Sequence, residues 1–169
     1  MNILAFLKNQ KITILLAGPA IAIALYACNA QVGVNKNLNT GMSTSYKGIS
    51  TSGTKMIMND EELNHADIPL GQSFIIVNDK VKGLTEKEGK VSVGCALTIS
   101  DKDGKVLLSE PDLFKDNAVF EKIDYLRCLV NTGSPMKPEE KYNVHVVFTD
   151  KYGTGKIEND VTVRMINNP

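Results

Sequence analysis

The chain has 169 residues, with 19 basic and 19 acidic side chains and a formal net charge of zero. Lys, Asp and Glu alternate in small clusters, so the sequence lacks the basic face or stripe by which nucleic-acid-binding proteins hold phosphates. No nucleic-acid partner is expected. Residues 1–27 and 28–45 differ in composition from the rest of the chain. The length that remains, residues 46–169, suits one compact domain.

Residues 1–27 have the pattern of an export signal. Lys8 and Lys11 precede a mostly apolar stretch over residues 12–27, which is interrupted by a Gly-Pro pair. A membrane-spanning helix needs about 20 apolar residues in succession, and a Gly-Pro pair breaks or kinks a helix. We therefore expect residues 1–27 to be a cleavable signal peptide and not a membrane-spanning anchor.

The end of this segment, Leu25-Tyr26-Ala27-Cys28, resembles the lipobox of bacterial lipoproteins, and the resemblance covers this short stretch alone. It implies that the Cys28 thiol carries diacylglycerol, that the bond after Ala27 is cut, and that lipid anchors the mature protein to a membrane. The implied location is the cell envelope, on an outer membrane facing the periplasm, because Asn29 is not the Asp that retains many lipoproteins at an inner membrane. An ordinary secretory signal and an uncleaved anchor helix remain as alternatives.

Residues 28–45 are rich in Asn, Ser, Thr and Gly and contain few large apolar side chains. Such a composition buries too little surface to offset the entropy lost on ordering the chain. We expect a flexible tether that joins the lipid on Cys28 to one folded domain over residues 46–169.

The domain over residues 46–169 has a hydrophobic period of two, which is typical of half-buried β-strands. The expected strands are 46–58, 72–78, 91–100, 105–109, 123–130, 142–149 and 157–165. One or two short helical turns are expected in 60–65 and 111–120. Short strands without long helices between them favour two packed antiparallel sheets. We predict an all-β, immunoglobulin-like antiparallel β-sandwich of about seven strands.

Two cysteines remain in the domain if Cys28 carries lipid. Cys95 and Cys128 each alternate with apolar residues on a predicted strand, so both should point into the core. A disulfide between them requires Cα atoms within about 7 Å of each other. Two buried, unpaired thiols are the alternative. A catalytic thiol is not expected, because neither cysteine has a base nearby in sequence.

Two hairpin loops carry carboxylates at spacings similar to those of calcium-binding loops. Asp101 and Asp103 lie two residues apart in the first loop, and Asp150 opens the second, which has glycine at the sixth position of an EF-hand spacing. The second loop has Val161 where an EF-hand needs a bidentate Glu. Plain hairpin turns are favoured, so no metal is predicted, and the covalent lipid on Cys28 is the one attached group.

Catalytic motifs are not found in the sequence. His65 and His145 are the only histidines, and there is no nucleophile elbow, metal-ligand pair or phosphate-binding glycine loop. We expect a non-catalytic binding or scaffold module for an envelope protein or a glycan. The alternatives are a sensor or accessory domain that binds a metal or small ligand at its hairpin loops, and an unrecognised hydrolase.

Exposed aromatic rings grouped on one face would favour the binding module, whereas buried or scattered rings would belong to the core. The rings that distinguish these cases are Tyr46, Phe74, Tyr125, Tyr142 and Tyr152.

Overall fold

A computed structural model describes residues 31–115 and 119–167. The strands are β1 (Val32–Lys36), β2 (Ser43–Lys47), β3 (Gly53–Met58), β4 (Glu61–Glu62), β5 (Asp67–Pro69), β6 (Ser73–Asp79), β7 (Val91–Asp101), β8 (Val106–Glu110), β9 (Val119–Phe120), β10 (Tyr125–Asn131), β11 (Lys141–Asp150) and β12 (Lys156–Ile166). The prediction of an all-β sandwich of antiparallel sheets is confirmed. The described residues form twelve strands, not about seven.

The strands form two sheets of unequal size. The larger sheet has the order β1-β2-β12-β11-β7-β8, with β5 added in parallel to β12 and β9 added to β7. The smaller sheet has the order β10-β6-β3-β4. β11 lies inside the larger sheet, between β7 and β12, whereas β10 pairs with β6 alone among the described strands.

The two sheets pack over one hydrophobic core. Phe148 of β11 and Ile157 of β12 are fully buried from the larger sheet, and Met56 and Phe74 are fully buried from the smaller one. Burying a large apolar side chain contributes about 1.5–3 kcal/mol. Buried and more exposed residues alternate along β11 and β12, as the period of two predicts.

The predicted strand 46–58 is two strands in different sheets. β2 ends at Lys47, and the chain turns at Gly48. Gly48 has a φ of 75°, which residues other than glycine rarely adopt. β3 begins at Gly53 and pairs with β6 of the smaller sheet. A period of two reports which face of a strand is buried, and it does not show that the chain crosses from one sheet to the other.

From Gln31 onward, the structure differs from the flexible tether predicted over residues 28–45, and residues 28–30 lie outside the described residues. Val32–Lys36 and Ser43–Lys47 form the hairpin β1–β2, and β2 pairs with β12. The Asn37 carboxamide oxygen accepts backbone N–H groups at the turn of this hairpin. Met42 is buried in the core. Pairing with an existing sheet supplies backbone hydrogen bonds, so a polar segment is ordered without a large apolar surface of its own.

The structure also corrects the helical turn predicted in 60–65, whereas the one predicted in 111–120 lies partly outside the described residues. In the first range, Asn59 and Asp60 both have positive φ and form a tight turn between β3 and the short strand β4. Two consecutive residues of this kind are typical of the turn that joins antiparallel strands. In the second range, Lys115 is in a 3-10 turn, residues 116–118 lie outside the described residues, and Val119–Phe120 form β9.

Candidate binding cleft beside the β10 edge

The two cysteines of the domain face each other between the sheets. Cys95 on β7 and Cys128 on β10 are each 1% exposed, and both are free thiols. A hydrogen bond to Cys128 and burial raise the pKa of the Cys95 thiol. Both side chains therefore point into the core, as the sequence predicts, and they are neighbours across the sandwich.

Of the two carboxylates considered as calcium ligands in the first loop, that of Asp101 closes a hairpin turn. Asp101 accepts the backbone N–H groups of Asp103 and Lys105, each at 2.9 Å. Gly104 completes the turn with a φ of 83°. These bonds use the Asp101 carboxylate to hold the β7–β8 connection. Within residues 31–115 and 119–167, no group of three or more potential metal ligands occurs.

Asp150 ties a loop to the β11–β12 hairpin. Its buried carboxylate accepts the N–H of Thr85 at 2.8 Å and that of Tyr152 at 3.0 Å. Gly153 lies against this contact, because a Cβ there would be 2.5 Å from Asp150 Oδ2. The Asp150 carboxylate thus fixes two loops and is directed at backbone donors.

Each histidine has a hydrogen-bond partner within the chain. On the outer face of the larger sheet, His145 Nδ1 is 2.6 Å from Asp160 Oδ1 on the neighbouring strand β12. His65 Nδ1 is 3.3 Å from the backbone N of Asp67. An activated Ser, Thr or Cys nucleophile needs a hydrogen bond to a base such as histidine. In the described part of the chain, neither histidine makes such a hydrogen bond.

Of the five aromatic side chains singled out in the sequence, Tyr125 alone is largely exposed, at 52%. The other four are buried or partly buried: Tyr46, Phe74, Tyr142 and Tyr152. Phe120, which sequence reasoning missed, is 41% exposed. Tyr125 and Phe120 border the same cavity, so the exposed rings meet at one place on the surface.

This cavity has a volume of about 380 Å³ and lies where β10 meets the segment that follows β8. We call it the β10 cleft, and six of its lining residues define it: Val93, Phe114, Phe120, Ile123, Tyr125 and Arg127. The Phe114 ring also packs on the buried Phe148 ring, with centroids 6.3 Å apart. The walls of the cleft are thus mainly apolar and joined to the core, while its rim is aromatic and charged.

A second cavity of about 650 Å³ adjoins the cleft and shares Lys122, Ile123 and Asp124 with it. It extends to Gly83. A Cβ on Gly83 would be 3.7 Å from Gln31 Oε1, so the first described residue lies beside this cavity.

The charges near the β10 cleft are unequally paired. Lys122 bonds to Asp124 at 3.1 Å. The Arg127 guanidinium lies over the Tyr125 ring, 4.3 Å from its centroid, and no carboxylate of the described residues is within ion-pair distance of it. Among the described residues, Arg127 is therefore the cation at the cleft that no carboxylate pairs with.

Backbone pairing shows which polar groups of β10 face away from its neighbour. The N–H of Thr132 donates to the carbonyl of Gln72 at 3.2 Å, next to the ladder of β10 and β6. Hydrogen-bonded pairs alternate along an antiparallel ladder. The N–H and C=O groups of Tyr125, Arg127 and Leu129 therefore point away from β6, along the open edge.

The outer face of the smaller sheet continues from this edge as an apolar row. Leu129 of β10 is 53% exposed. Leu129 pairs with Ile75 of β6, which pairs with Ile57 of β3. The sequence contains a signal for this surface, because Tyr125 and Leu129 occupy the face of β10 opposite to the buried Cys128. The same face also carries Arg127 and Asn131, so it is apolar in part.

No protein-family model matches this chain, and no curated protein is significantly similar to it. None of the helices in the described residues is long and apolar enough to cross a membrane. Cys28 and the apolar stretch 12–27 lie outside the described residues. A functional assignment therefore depends on the cleft and on the lipobox resemblance.

Proposed function

We propose that the protein is a non-catalytic binding module of the cell envelope, anchored through lipid on Cys28, that holds a protein partner at the β10 cleft. One observation carries the proposal: an apolar cavity rimmed by the exposed rings of Phe120 and Tyr125 adjoins a strand edge with open backbone groups. Aromatic anchors around a pocket are typical of binding hot spots. The open backbone groups favour a protein partner over a glycan.

The hairpin β1–β2 determines how far such a module extends from its anchor. The carbonyl of Gln31 accepts the N–H of Gly48 at 2.8 Å, so a residue that is bonded to the domain lies three residues after Cys28. Three residues span at most about 10 Å, since an extended chain covers about 3.3–3.6 Å per residue. A lipid on Cys28 would therefore hold the domain close to the membrane surface, and the partner would be bound there.

Site-specific photo-crosslinking in the protein's own cells tests the binding role. A photoreactive phenylalanine analogue replaces Tyr125 in one variant and Thr162, an exposed residue of β12, in a matched control. We expect a discrete protein adduct from position 125, none from position 162, and loss of the adduct when Phe120→Ala is added. Equal labelling at both positions, or no adduct at position 125, would contradict the proposal.

The anchor is tested separately by intact mass and by partitioning into detergent or membranes. The wild type should begin at an acylated Cys28 and sediment with membranes, whereas Cys28→Ser should lose both properties. Cys128→Ser serves as the control, because it also removes a thiol but leaves the lipobox unchanged. A mature protein that starts elsewhere, or that carries no lipid, would overturn the anchoring proposal and leave the binding proposal standing.

A further inference from the structure

We infer that the partner binds as an extended peptide strand added to the open edge of β10, with an apolar side chain in the β10 cleft and a carboxylate beside Arg127. The inference rests on the proposed binding function and specifies how the same site recognises its partner.

The backbone of β10 is the first element of this recognition. Outward-pointing N–H and C=O groups at Tyr125, Arg127 and Leu129 form a row of donors and acceptors at the spacing of a strand. Another backbone in extended conformation matches such a row. Recognition by strand addition derives affinity from these main-chain bonds and specificity from pockets for alternate side chains.

The cleft and Arg127 determine the side chains of the added strand. Leu126 and Cys128 point into the protein, and Leu126 lines the cavity, so the partner residue on that face enters the cleft. Arg127 points to the outer face, where a neighbouring partner residue would lie beside it. Adjacent residues of a strand point to opposite faces. The partner segment therefore combines an apolar residue with an acidic residue directly next to it in sequence, because these two side chains lie on opposite faces of the added strand.

A second copy of this chain fits the edge less well than a different peptide. Pairing two β10 strands antiparallel about their centre brings the two Arg127 side chains opposite or diagonal to each other on one face. Like charges at such positions destabilise a sheet. An acidic partner residue reverses the sign of this interaction.

The other long edges of the described sheets lack the same combination. β1 and β8 are edge strands of five residues each, whereas β10 has seven. The residues of β1 and β8 do not line the β10 cleft. Among the described strands, β10 therefore joins the longest open edge to a cavity that can receive a side chain.

The test begins with the purified domain, residues 28–169 with Cys28→Ser, and random-sequence peptides displayed on phage. Each selected clone is then bound to the wild-type domain in the presence of an excess of free Phe120→Ala protein. Clones whose binding this variant does not reduce are the ones that use the cleft. We expect selected peptides to share an apolar residue and an acidic residue at adjacent positions. On binding of one synthetic selected peptide, amide hydrogen exchange should slow at Tyr125, Arg127 and Leu129.

Two substitutions at one position separate the backbone from the side chain. Leu129→Pro removes an outward-pointing N–H, and proline is tolerated at such edge positions, whereas Leu129→Ala keeps the N–H. Affinity for the selected peptide should fall about three- to tenfold in Leu129→Pro and by no more than about twofold in Leu129→Ala, since a lost hydrogen bond costs roughly 0.5–1.5 kcal/mol and 1.4 kcal/mol corresponds to tenfold. Thermal melting of both variants checks that they fold. The amide-exchange measurement on the wild type tests strand addition even if a variant does not fold.

The outcomes distinguish the strand mode from the binding function itself. Equal affinity of both Leu129 variants, with unchanged exchange along β10 and binding still lost in Phe120→Ala, would overturn strand addition and leave the cleft as the binding site. Failure to select any peptide that depends on Phe120, together with absence of the crosslink at position 125, would overturn both. Dimerisation of the domain through β10 would overturn the choice of a different peptide as partner.

Discussion

β10 and β11 have almost the same alternation of buried and exposed residues but lie in opposite surroundings. β11 is paired on both sides, and its outer face is mainly polar, with Asn143 and His145 toward solvent. β10 is paired on one side, and its outer face includes Tyr125 and Leu129. A period of two therefore reports the buried face of a strand, while the chemistry of its other face and edge indicates whether more protein is to be bound there.

The largest expected effect contrasts side chains of these two strands. Phe148→Ala on β11 removes a fully buried ring that also packs on Phe114, so the free energy of unfolding should fall by about 3–5 kcal/mol. Leu129→Ala on β10 should change it by no more than about 0.5 kcal/mol, as is usual for exposed positions. Urea unfolding followed by circular dichroism measures both. Similar losses in the two variants would mean that the outer face of β10 is covered within the chain itself.

The sequence predicts the features of β10 and β11 that depend on residues close together in the chain. It does not predict the features that depend on contacts between distant residues. The alternation of 142–149 predicts correctly which of its residues are buried, because the period of two is a local property of the backbone. The edge position of β10 depends on which strands pair, and pairing joins residues far apart in sequence. Phe120 was missed for the same reason, since it lies on a two-residue strand that pairs with β7. The β1–β2 hairpin was missed because its order comes from pairing with β12.

The second prediction concerns the two free thiols, Cys95 and Cys128, that face each other between the sheets. Oxidised glutathione, a small disulfide, should accept two electrons and two protons from Cys95 and Cys128 to give an inter-sheet disulfide and two glutathione thiols. Closing the loop between these positions should raise the free energy of unfolding by about 3–4 kcal/mol in the chain-entropy account. Intact mass and thiol labelling report the bond, and urea unfolding reports the gain.

Cys95→Ala provides the control for this oxidation, since its remaining domain thiol has no partner in the core. If the wild type keeps both thiols under unfolding and refolding with the oxidant, the two free, buried thiols considered in the sequence are the stable state. Such a result would leave β10 linked to the larger sheet by packing alone.

A third substitution probes the hairpin that makes β11 an interior strand. Gly153→Ala introduces a Cβ that would lie 2.5 Å from Asp150 Oδ2 and collide with Thr85 Oγ1. We expect a loss of about 1–3 kcal/mol in unfolding free energy, which is typical of inserting an atom into a packed site. Gly104→Ala is the comparison, because no atom lies within 4 Å of its added Cβ, although its φ of 83° still strains the backbone. A larger loss in Gly104→Ala would show that backbone strain outweighs the collision.

The smallest expected effect is a change in how stability depends on pH, and it compares Arg164 on β12 with Arg127 on β10. Arg164 on β12 donates two hydrogen bonds to Asp67, at 2.7 and 2.9 Å, and this hydrogen bonding holds the pKa of the Asp67 carboxyl below its usual value. A carboxyl whose pKa is lower in the folded than in the unfolded state stabilises the fold above the unfolded pKa. That contribution is lost as the pH falls through the folded pKa. Stability should therefore decline on acidification below about pH 4, the usual range for Asp.

The two side chains are partly exposed, so solvent limits this pair to less than about 1 kcal/mol. Asp67→Asn should flatten the decline slightly in urea unfolding measured across the acidic range. Arg127→Gln should leave the pH profile unchanged, because Arg127 pairs with no carboxylate of the described residues. A change of the acid profile in Arg127→Gln would show that a carboxylate of the chain already satisfies this arginine. In that case the cation would not be available to the acidic residue of an added strand, and the recognition inferred at β10 would lose its charged component.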